Sequence, residues 1–176
     1  MGVGGHLMKG ASIILFCLGF ISISLGQLTT ITQIEDEVRE IEELKNIDIK
    51  EFDVNKFYDR IFDGGGIIKV FLRNEEIVKI EEKIGLSYGR ITTIIYLKND
   101  IPIQIVDREE NFKFKEDQTS LDYSTLNQVF EATVYIFDWD YDKSEIVTTG
   151  ERNLSEGTCS TFEYEPLIDN VRKILK

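Results

Sequence analysis

The spacing of apolar residues predicts a helix near residue 30. The segment TITQIEDEVREIEELKN repeats apolar residues at helical intervals, while acidic residues fill the other positions. Thr32 and Glu35 fit a capping box at its start. The apolar face consists of Ile31, Ile34, Val38 and Ile41. We expect this amphipathic helix to cover the core of the domain.

A second, shorter helix is predicted in the segment DVNKFYDRIFDGGG. Asp53 can accept a hydrogen bond at its first turn, and Gly64 can supply a left-handed exit. The glycine run lacks the Lys-Ser/Thr sequel of a phosphate-binding loop, so we interpret it as a flexible turn. The apolar positions are Val54, Phe57, Tyr58 and Ile61.

From Ile67 onward the apolar period changes to two, which indicates β-strands. IIKVFLR and EIVKIEEKI flank the turn residues Asn-Glu, and RITTIIYL and IPIQIVDRE flank Lys-Asn-Asp. The stretches FLRNEEIVKI, from Phe71, and YLKNDIPIQI, from Tyr96, repeat one hairpin pattern. The sequence therefore predicts two successive hairpins with asparagine-led turns.

A third hairpin is predicted in FEATVYIFDWDYDKSEIVTT. Its first strand alternates Phe130, Ala132, Val134 and Ile136 with Thr133, Tyr135, Phe137 and Trp139. The polar segment KFKEDQTSLDYSTLNQ before it is interpreted as a long loop. Tandem hairpins with local turns predict an antiparallel meander.

The C-terminal segment EPLIDNVRKILK predicts a last helix. Pro166 lies near its first turn, and Leu167, Val171 and Ile174 share one side. The predicted fold class is α+β: an antiparallel β-meander of about six strands, with the N-terminal helix and the short C-terminal helix packed on one face. Residues 30–62 are predicted to be helical, residues 66–149 to form the sheet, and residues 165–176 to form the last helix.

The first residues have the layout of a secretory signal peptide. Lys9 precedes the apolar run ASIILFCLGFISISLG, and Ser24 and Gly26 would occupy the −3 and −1 positions for cleavage before Gln27. A membrane anchor is the alternative, but the run is shorter than the roughly 20 residues that a span needs. We therefore predict a signal peptide at 1–26, a single mature domain at 27–176, and a periplasmic or extracellular location.

Charge and composition restrict the partners and the chemistry. The chain has 32 acidic and 20 basic residues, a net charge of −12. This charge disfavours nucleic acid and anionic membrane surfaces, and it suits a basic partner protein. The single histidine, His6, lies in the predicted leader, so the mature chain cannot assemble a catalytic site that depends on imidazole.

Cysteine and carboxylate usage narrow the chemistry further. Cys159 would be the one cysteine left after cleavage at residue 26, so no internal disulfide is predicted. We expect a buried thiol, with an intermolecular bridge as the alternative. No metal site and no cofactor is predicted. Glycosidases can work with two carboxylates alone, which leaves a carboxylate-only hydrolase open.

The segment FDWDYDKSE is the sharpest local feature. Asp138, Asp140 and Asp142 alternate with Trp139 and Tyr141, but a calcium loop would need glycine and glutamate where Lys143 and Thr149 stand. If the segment is a strand, the three aspartates lie on one face and the two aromatics on the other. It could be a solvated edge hairpin, a partner-binding surface anchored by Trp139 and Tyr141, or a loose divalent-ion site.

The hairpin segments also carry a resemblance. IVKIEEKIGLSYG and IIYLKNDIPIQIVD, together with the leader and the acidic helix, resemble a group of small uncharacterised exported bacterial proteins. Sheets of that group repeat an aromatic-x-basic-Asn-acidic/Gly hairpin unit. The likeness covers mainly residues 66–110. It implies export and a meander, and it implies no activity.

These observations predict an exported non-catalytic binding module, inhibitor-like or immunity-like toward a basic partner protein. The candidate binding residues are Asp138, Trp139, Asp140, Tyr141 and Asp142. The alternatives are a carboxylate-only glycan hydrolase and a structural or assembly protein of the cell envelope.

Overall fold

The computed structural model describes residues 1–2 and 28–176. Most of the predicted leader, with Lys9, Cys17 and the cleavage site before Gln27, lies outside the described residues. Within the described part of the chain, no helix is both long enough and apolar enough to cross a membrane.

In the described residues, seven antiparallel strands form one sheet in the order β1-β2-β3-β4-β5-β6-β7, so each strand pairs with its neighbours in sequence. Three α-helices of this part of the chain accompany the sheet: α1 (Ile31–Glu42), α2 (Val54–Tyr58) and α3 (Glu165–Leu175). The predicted meander with an N-terminal and a C-terminal helix is confirmed. The strands are β1 (Asp48–Asp53), β2 (Gly66–Arg73), β3 (Glu76–Leu86), β4 (Gly89–Lys98), β5 (Ile101–Phe114), β6 (Leu121–Asp138) and β7 (Lys143–Gly150).

Two segments of the sheet differ from the sequence analysis. β1 lies between the two predicted helices, in a segment expected to hold no strand. The polar segment expected to be a loop contains a turn, in which Gln118 has a positive φ of 55°, followed by the start of β6 at Leu121. The meander therefore has seven strands rather than about six, and its two longest strands form one extended hairpin.

The two faces of the sheet carry different helices. We call the side of Ile95 and Ile105 face A, and the side of Ile94 and Tyr96 face B; successive residues of β4 point to opposite sides. α2 and α3 pack on face A through Val54, Leu167, Ile168 and Val171. α1 packs on face B, where Ile41 joins Tyr96 and Ile103.

The N-terminal and C-terminal helices were expected on one face of the sheet, whereas α1 and α3 lie on opposite faces. The reason is that the middle of the sheet is apolar on both sides, so each side needs a cover. On face B the acidic residues of α1 also contact the sheet. Glu42 Oε1 accepts hydrogen bonds from Tyr96 Oη at 2.6 Å and from Lys79 Nζ at 2.6 Å.

The helix ends have the predicted kinds of capping interaction, but some of the capping residues differ from those predicted. The capping box of α1 is formed by Thr30 and Gln33 rather than by Thr32 and Glu35. Asp53 caps α2 as predicted, by accepting from the backbone N–H of Lys56 at 3.1 Å. α2 ends at Tyr58, and the left-handed exit is supplied by its C-cap Asp59, which has a φ of 48°, and not by Gly64.

Gly64 has a packing role instead. Its backbone N–H donates to the carbonyl of Gly85 on β3 at 3.1 Å, and a Cβ on Gly64 would lie 2.6 Å from the carbonyl carbon of Gly85. The glycine run forms the predicted turn, in which the N–H of Gly65 donates to the carbonyl of Phe62 at 2.9 Å, and it lets the chain pass directly against β3.

Candidate functional site

Three turns lie together at one end of the sheet, which we call the turn end: residues 74–75, 99–100 and 139–142. Asn74 and Glu75 have φ values of 52° and 70°, and Asn99 and Asp100 have 51° and 64°. Two successive left-handed residues give the type I′ geometry that suits the twist of a hairpin. The predicted asparagine-led turns are therefore present.

The third turn contains the predicted binding residues. β6 ends at Asp138, and residues 139–142 form a turn before β7. The Asp138 carboxylate accepts from the backbone N–H of Tyr141 at 3.2 Å, and the N–H of Asp142 donates to the carbonyl of Trp139 at 3.3 Å. Because this segment is a turn and not a strand, the predicted split of three aspartates on one face and two aromatics on the other is wrong.

The two aromatics of this turn have different environments. Trp139 is half-buried and packs against the face A core, although the alternation of β6 had placed it with Phe137 on the opposite side. Tyr141 is 84% exposed. Asp140 is exposed, whereas Asp142 accepts a hydrogen bond from the hydroxyl of Thr161. Trp139 is thus anchored, while Asp140 and Tyr141 project outward.

A cavity of about 690 Å³ lies between this turn and the β4–β5 turn. We call it the turn groove. It includes four of the five predicted binding residues, and Asp142 is the one that does not line it. Its lining residues are Leu28, Lys98, Asn99, Asp100, Ile101, Pro102, Ile103, Ile136, Phe137, Asp138, Trp139, Asp140, Tyr141 and Arg172.

Both cations of the turn groove already contact carboxylates. Lys98 forms an ion pair with Glu37 of α1. Arg172 Nε lies 3.4 Å from Asp100 Oδ2, and its Nη1 lies 3.6 Å from the carboxylate of Asp169 on α3. Asp140 forms no ion pair with any described residue. The groove therefore presents apolar and aromatic surface with an excess of negative charge.

A second polar cluster lies on face A and was not predicted. Asp107 and Glu109 of β5 point toward the core side of the sheet and are 5% and 0% exposed. The guanidinium of Arg152 bridges them, with Nη2 2.8 Å from Asp107 Oδ2 and Nη1 3.2 Å from Glu109 Oε1. A buried charge needs such a partner, because desolvation is otherwise very costly.

The loop after β7 supplies the other partners of Glu109. Its Oε2 accepts from the backbone N–H groups of Asn153 and Leu154, each at 2.7 Å, and its Oε1 accepts from the hydroxyl of Ser155 at 2.5 Å. Burial opposes ionisation, but these donors together with Arg152 lower the pKa of Glu109 below its ordinary value. Glu109 thus fixes the loop to the sheet as a carboxylate.

Cys159 and Tyr164 complete this cluster. Cys159 is 3% exposed, which confirms the predicted buried thiol, and its Sγ accepts from Arg152 Nη2 at 2.9 Å. The hydroxyl of Tyr164 donates to Asp107 Oδ2 at 3.1 Å. Burial and the neighbouring Asp107 raise the pKa of Tyr164, so this phenol stays protonated and acts as a donor.

Glu82 of β3 is the least compensated carboxyl on face A. It is 7% exposed and accepts from the hydroxyl of Tyr58 on α2 at 2.5 Å. Thr93 of β4 pairs with Glu82 on one side and with Asp107 on the other, so the two carboxyls flank one strand. Burial, together with the charge of Asp107, raises the pKa of Glu82 to about 7.

The signal for this cluster was present in the sequence but ambiguous. In IPIQIVDRE the strand period continues from Ile105 to Asp107 and Glu109 on one face. Acidic residues at the end of an apolar strand usually lie in solvent. Their cover, a loop more than forty residues later, has no periodicity that would reveal it.

The described residues contain no group of three or more histidine, cysteine, aspartate or glutamate side chains arranged to hold a metal ion. No family model, curated protein or solved structure matches the chain. The resemblance to small exported proteins with repeated hairpins therefore stays a hypothesis.

Proposed function

We propose that the chain is an exported, non-catalytic binding module that engages a basic partner protein through the turn groove. The observation that carries this proposal is the combination of outward aromatic surface and uncompensated negative charge in one groove of about 690 Å³. An inhibitor or an immunity protein would meet a basic partner in this way.

The apolar part of the groove suits a protein contact. Tyr141 is 84% exposed in the β6–β7 turn, and Ile101 is 52% exposed at the start of β5, directly after the β4–β5 turn. Large exposed apolar residues with a polar rim are typical of interaction sites, and tyrosine and tryptophan are enriched among residues that dominate binding energy. Trp139 is already held by the core, so little entropy is lost when a partner contacts its free surface.

The charge of the groove favours a lysine or arginine side chain as the bound group. Asp140 and Trp139 both line the groove, and a cation bound between them would gain both a carboxylate and an aromatic face. The net charge of −12 would add long-range attraction and speed the encounter.

Binding to short peptides tests the proposal. The probes are a labelled ten-residue peptide that alternates lysine and valine, and a matched peptide with glutamate in place of lysine. We expect only the lysine peptide to bind and to change the fluorescence of Trp139, the single tryptophan of the sequence. Tyr141→Ala should weaken binding about fivefold to thirtyfold, which corresponds to the loss of about 1–2 kcal/mol at a significant contact residue.

Matched controls separate a local site from general attraction. Asp140→Lys and Glu116→Lys change the net charge equally, but Glu116 lies in the exposed β5–β6 turn at the other end of the sheet. Likewise Tyr123 is 69% exposed and lies outside the groove, so Tyr123→Ala is the control for Tyr141→Ala. Equal weakening by Asp140→Lys and Glu116→Lys would refute the turn groove as the binding site.

A carboxylate-only glycan hydrolase is the second candidate function. The observation that favours it is the raised pKa of Glu82 beside Asp107, whose Oδ1 accepts no hydrogen bond from the described residues. The two residues lie two strands apart, about 10 Å between Cα atoms by the usual strand spacing. Both are enclosed, so a substrate would require the loop over Asp107 to move. Loss of glycan hydrolysis in Glu82→Gln, starting from a measurable wild-type activity, would support this candidate.

A further inference from the structure

The last strand leaves one edge of the sheet open. β7 pairs with β6, and among the described residues nothing pairs with its other side. Ile146 is 41% exposed and Val147 is 49% exposed, so no helix or loop covers this edge. A free edge offers a row of backbone donors and acceptors to another strand.

The two edges of the sheet are protected very differently. β1, the other edge, carries four charged residues among six: Asp48, Lys50, Glu51 and Asp53. β7 carries charge at Lys143 and Glu145, and then runs through Ile146–Gly150 without a charged residue. Charged side chains are a common protection of an edge strand against pairing. The second half of β7 lacks this protection.

We propose that β7 pairs antiparallel with β7 of a second copy, which joins two sheets into one continuous sheet across a two-fold axis. The interaction goes beyond the proposed binding function, and it uses a surface outside the turn groove. The occupant is a second copy because β7 is complementary to itself in one register.

Symmetry reduces the possible registers to those centred on one residue. A two-fold axis between antiparallel strands runs perpendicular to the sheet, so every residue pairs with one from the same face. Centring on Glu145 would bring two glutamates together. Centring on Thr148 would place Glu145 opposite Glu151 of the partner subunit. Both registers put like charges in contact, which is destabilising.

The register centred on Val147 avoids these repulsions. It places Val147 opposite Val147 of the partner subunit, and Lys143 opposite Glu151 of the partner subunit at both ends of the pair. Glu151 follows β7 directly, after Gly150 with its φ of 74°, and its backbone N–H donates to the carbonyl of Val129 on β6 at 3.1 Å, so it still lies beside the sheet edge. Opposite charges and a β-branched pair are favourable cross-strand neighbours. Centring on Ile146 would instead oppose Glu145 with an apolar valine. Among the registers that pair five or more residues of β7, charge complementarity therefore selects the Val147-centred register.

The mass of the protein recovered from expressing cells gives the reference value for one chain. Light scattering over a range of concentrations then tests the dimer. We expect a concentration-dependent rise to twice the mass of the chain. Raising the salt from about 20 to about 150 mM should strengthen the dimer, because it screens the repulsion between two acidic copies. A mass that stays that of one chain at every concentration and salt would overturn the proposal.

Substitutions test the edge itself. Val147→Lys places two lysines in contact at the axis and should raise the dimer dissociation constant at least about tenfold. Ile49→Lys on β1 is the matched control, because Ile49 is 48% exposed on the other edge strand, and it should leave the dimer unchanged. A loss of the dimer in Ile49→Lys but not in Val147→Lys would place the contact on β1 and contradict the proposal.

A charge exchange tests the register. Lys143→Glu would face Glu151 of the partner subunit and should weaken the dimer about fivefold. Adding Glu151→Lys restores opposite charges at both ends, and the double variant should return to within about twofold of the wild type. These residues are on the surface, so a circular dichroism spectrum should show that each variant remains folded. Failure of the double variant to recover would exclude the Val147-centred register.

Discussion

At the scale of single residues, the ionisation of buried carboxyls is decided by their local donors. Glu109 has two backbone N–H groups, a hydroxyl and a guanidinium, and its pKa is lowered. Burial raises the pKa of Glu82 to about 7, because its one phenol donor does not offset the desolvation and the nearby carboxylate of Asp107 adds to it. Glu82 is therefore a protonated, neutral carboxylic acid in the folded protein at mildly acidic pH.

This difference predicts a pH dependence of stability. The folded-state pKa of Glu82 lies above the ordinary value of 4.5, so folding takes up a proton between these two values. The contribution of this proton to the free energy of unfolding is complete below pH 4.5 and is lost as the pH rises to about 7. The loss is about 3 kcal/mol at most. Glu82→Gln should match the wild type near pH 4.5 and become more stable than the wild type above pH 7.

Urea unfolding of both proteins between pH 4 and 8 measures this effect. Glu116→Gln is the control, because Glu116 is exposed and its replacement should leave the pH dependence unchanged. If the difference in unfolding free energy between the wild type and Glu82→Gln is constant over this range, Glu82 does not hold a proton in the folded state.

At the scale of elements, the hairpin turns contain backbone strain, because residues other than glycine have positive φ angles there. Glu75 has a φ of 70°, a conformation that favours glycine and is uncommon for a glutamate. Its neighbour Asn74 tolerates this region better. The turn is thus shaped by the strand pairing on either side more than by the preference of Glu75.

Glu75→Gly should therefore stabilise the protein by about 0.5–1 kcal/mol, since the relief of strain exceeds the added entropy of the unfolded chain. The melting temperature and the unfolding free energy provide the measurement. Glu116→Gly is the matched control at a turn residue with ordinary φ, and there the same change should destabilise. A loss of stability in Glu75→Gly would show that the side chain of Glu75, and not backbone strain, dominates this turn.

The elements that were predicted correctly are those in which apolar residues recur at a regular spacing. The alternation of Phe130, Ala132, Val134 and Ile136 gave the correct buried face of β6. β1 was missed because an edge strand with four charged residues has no apolar alternation. In α3, Leu167 and Val171 are buried as predicted, while Ile168 is buried in place of Ile174, which is 47% exposed.

The candidate site was predicted in part for similar reasons. The composition of FDWDYDKSE indicated an exposed acidic and aromatic segment, and five of its residues line the turn groove. The role of the β4–β5 turn in the same groove could not be predicted, because it depends on the sheet bringing Asp100 and Ile101 beside residue 139. The face A cluster depends likewise on a contact between β5 and the loop at Arg152.

At the scale of the whole molecule, a sheet covered on both faces leaves its ends and edges free for interaction. α1 covers face B, and α2, α3 and the loop after β7 cover face A. The turn groove lies at one end, and the unprotected half of β7 lies along one edge. Binding of a basic partner and pairing of two copies can therefore occur on separate surfaces.

The most direct test of the binding proposal is a ¹⁵N–¹H correlation spectrum of the protein during titration with the lysine–valine peptide. We expect chemical-shift changes to be concentrated at residues 99–103 and 137–141, with little change at residues 114–118 at the opposite end of the sheet. Absence of shifts, or shifts spread evenly over the acidic surface, would contradict a binding site in the turn groove.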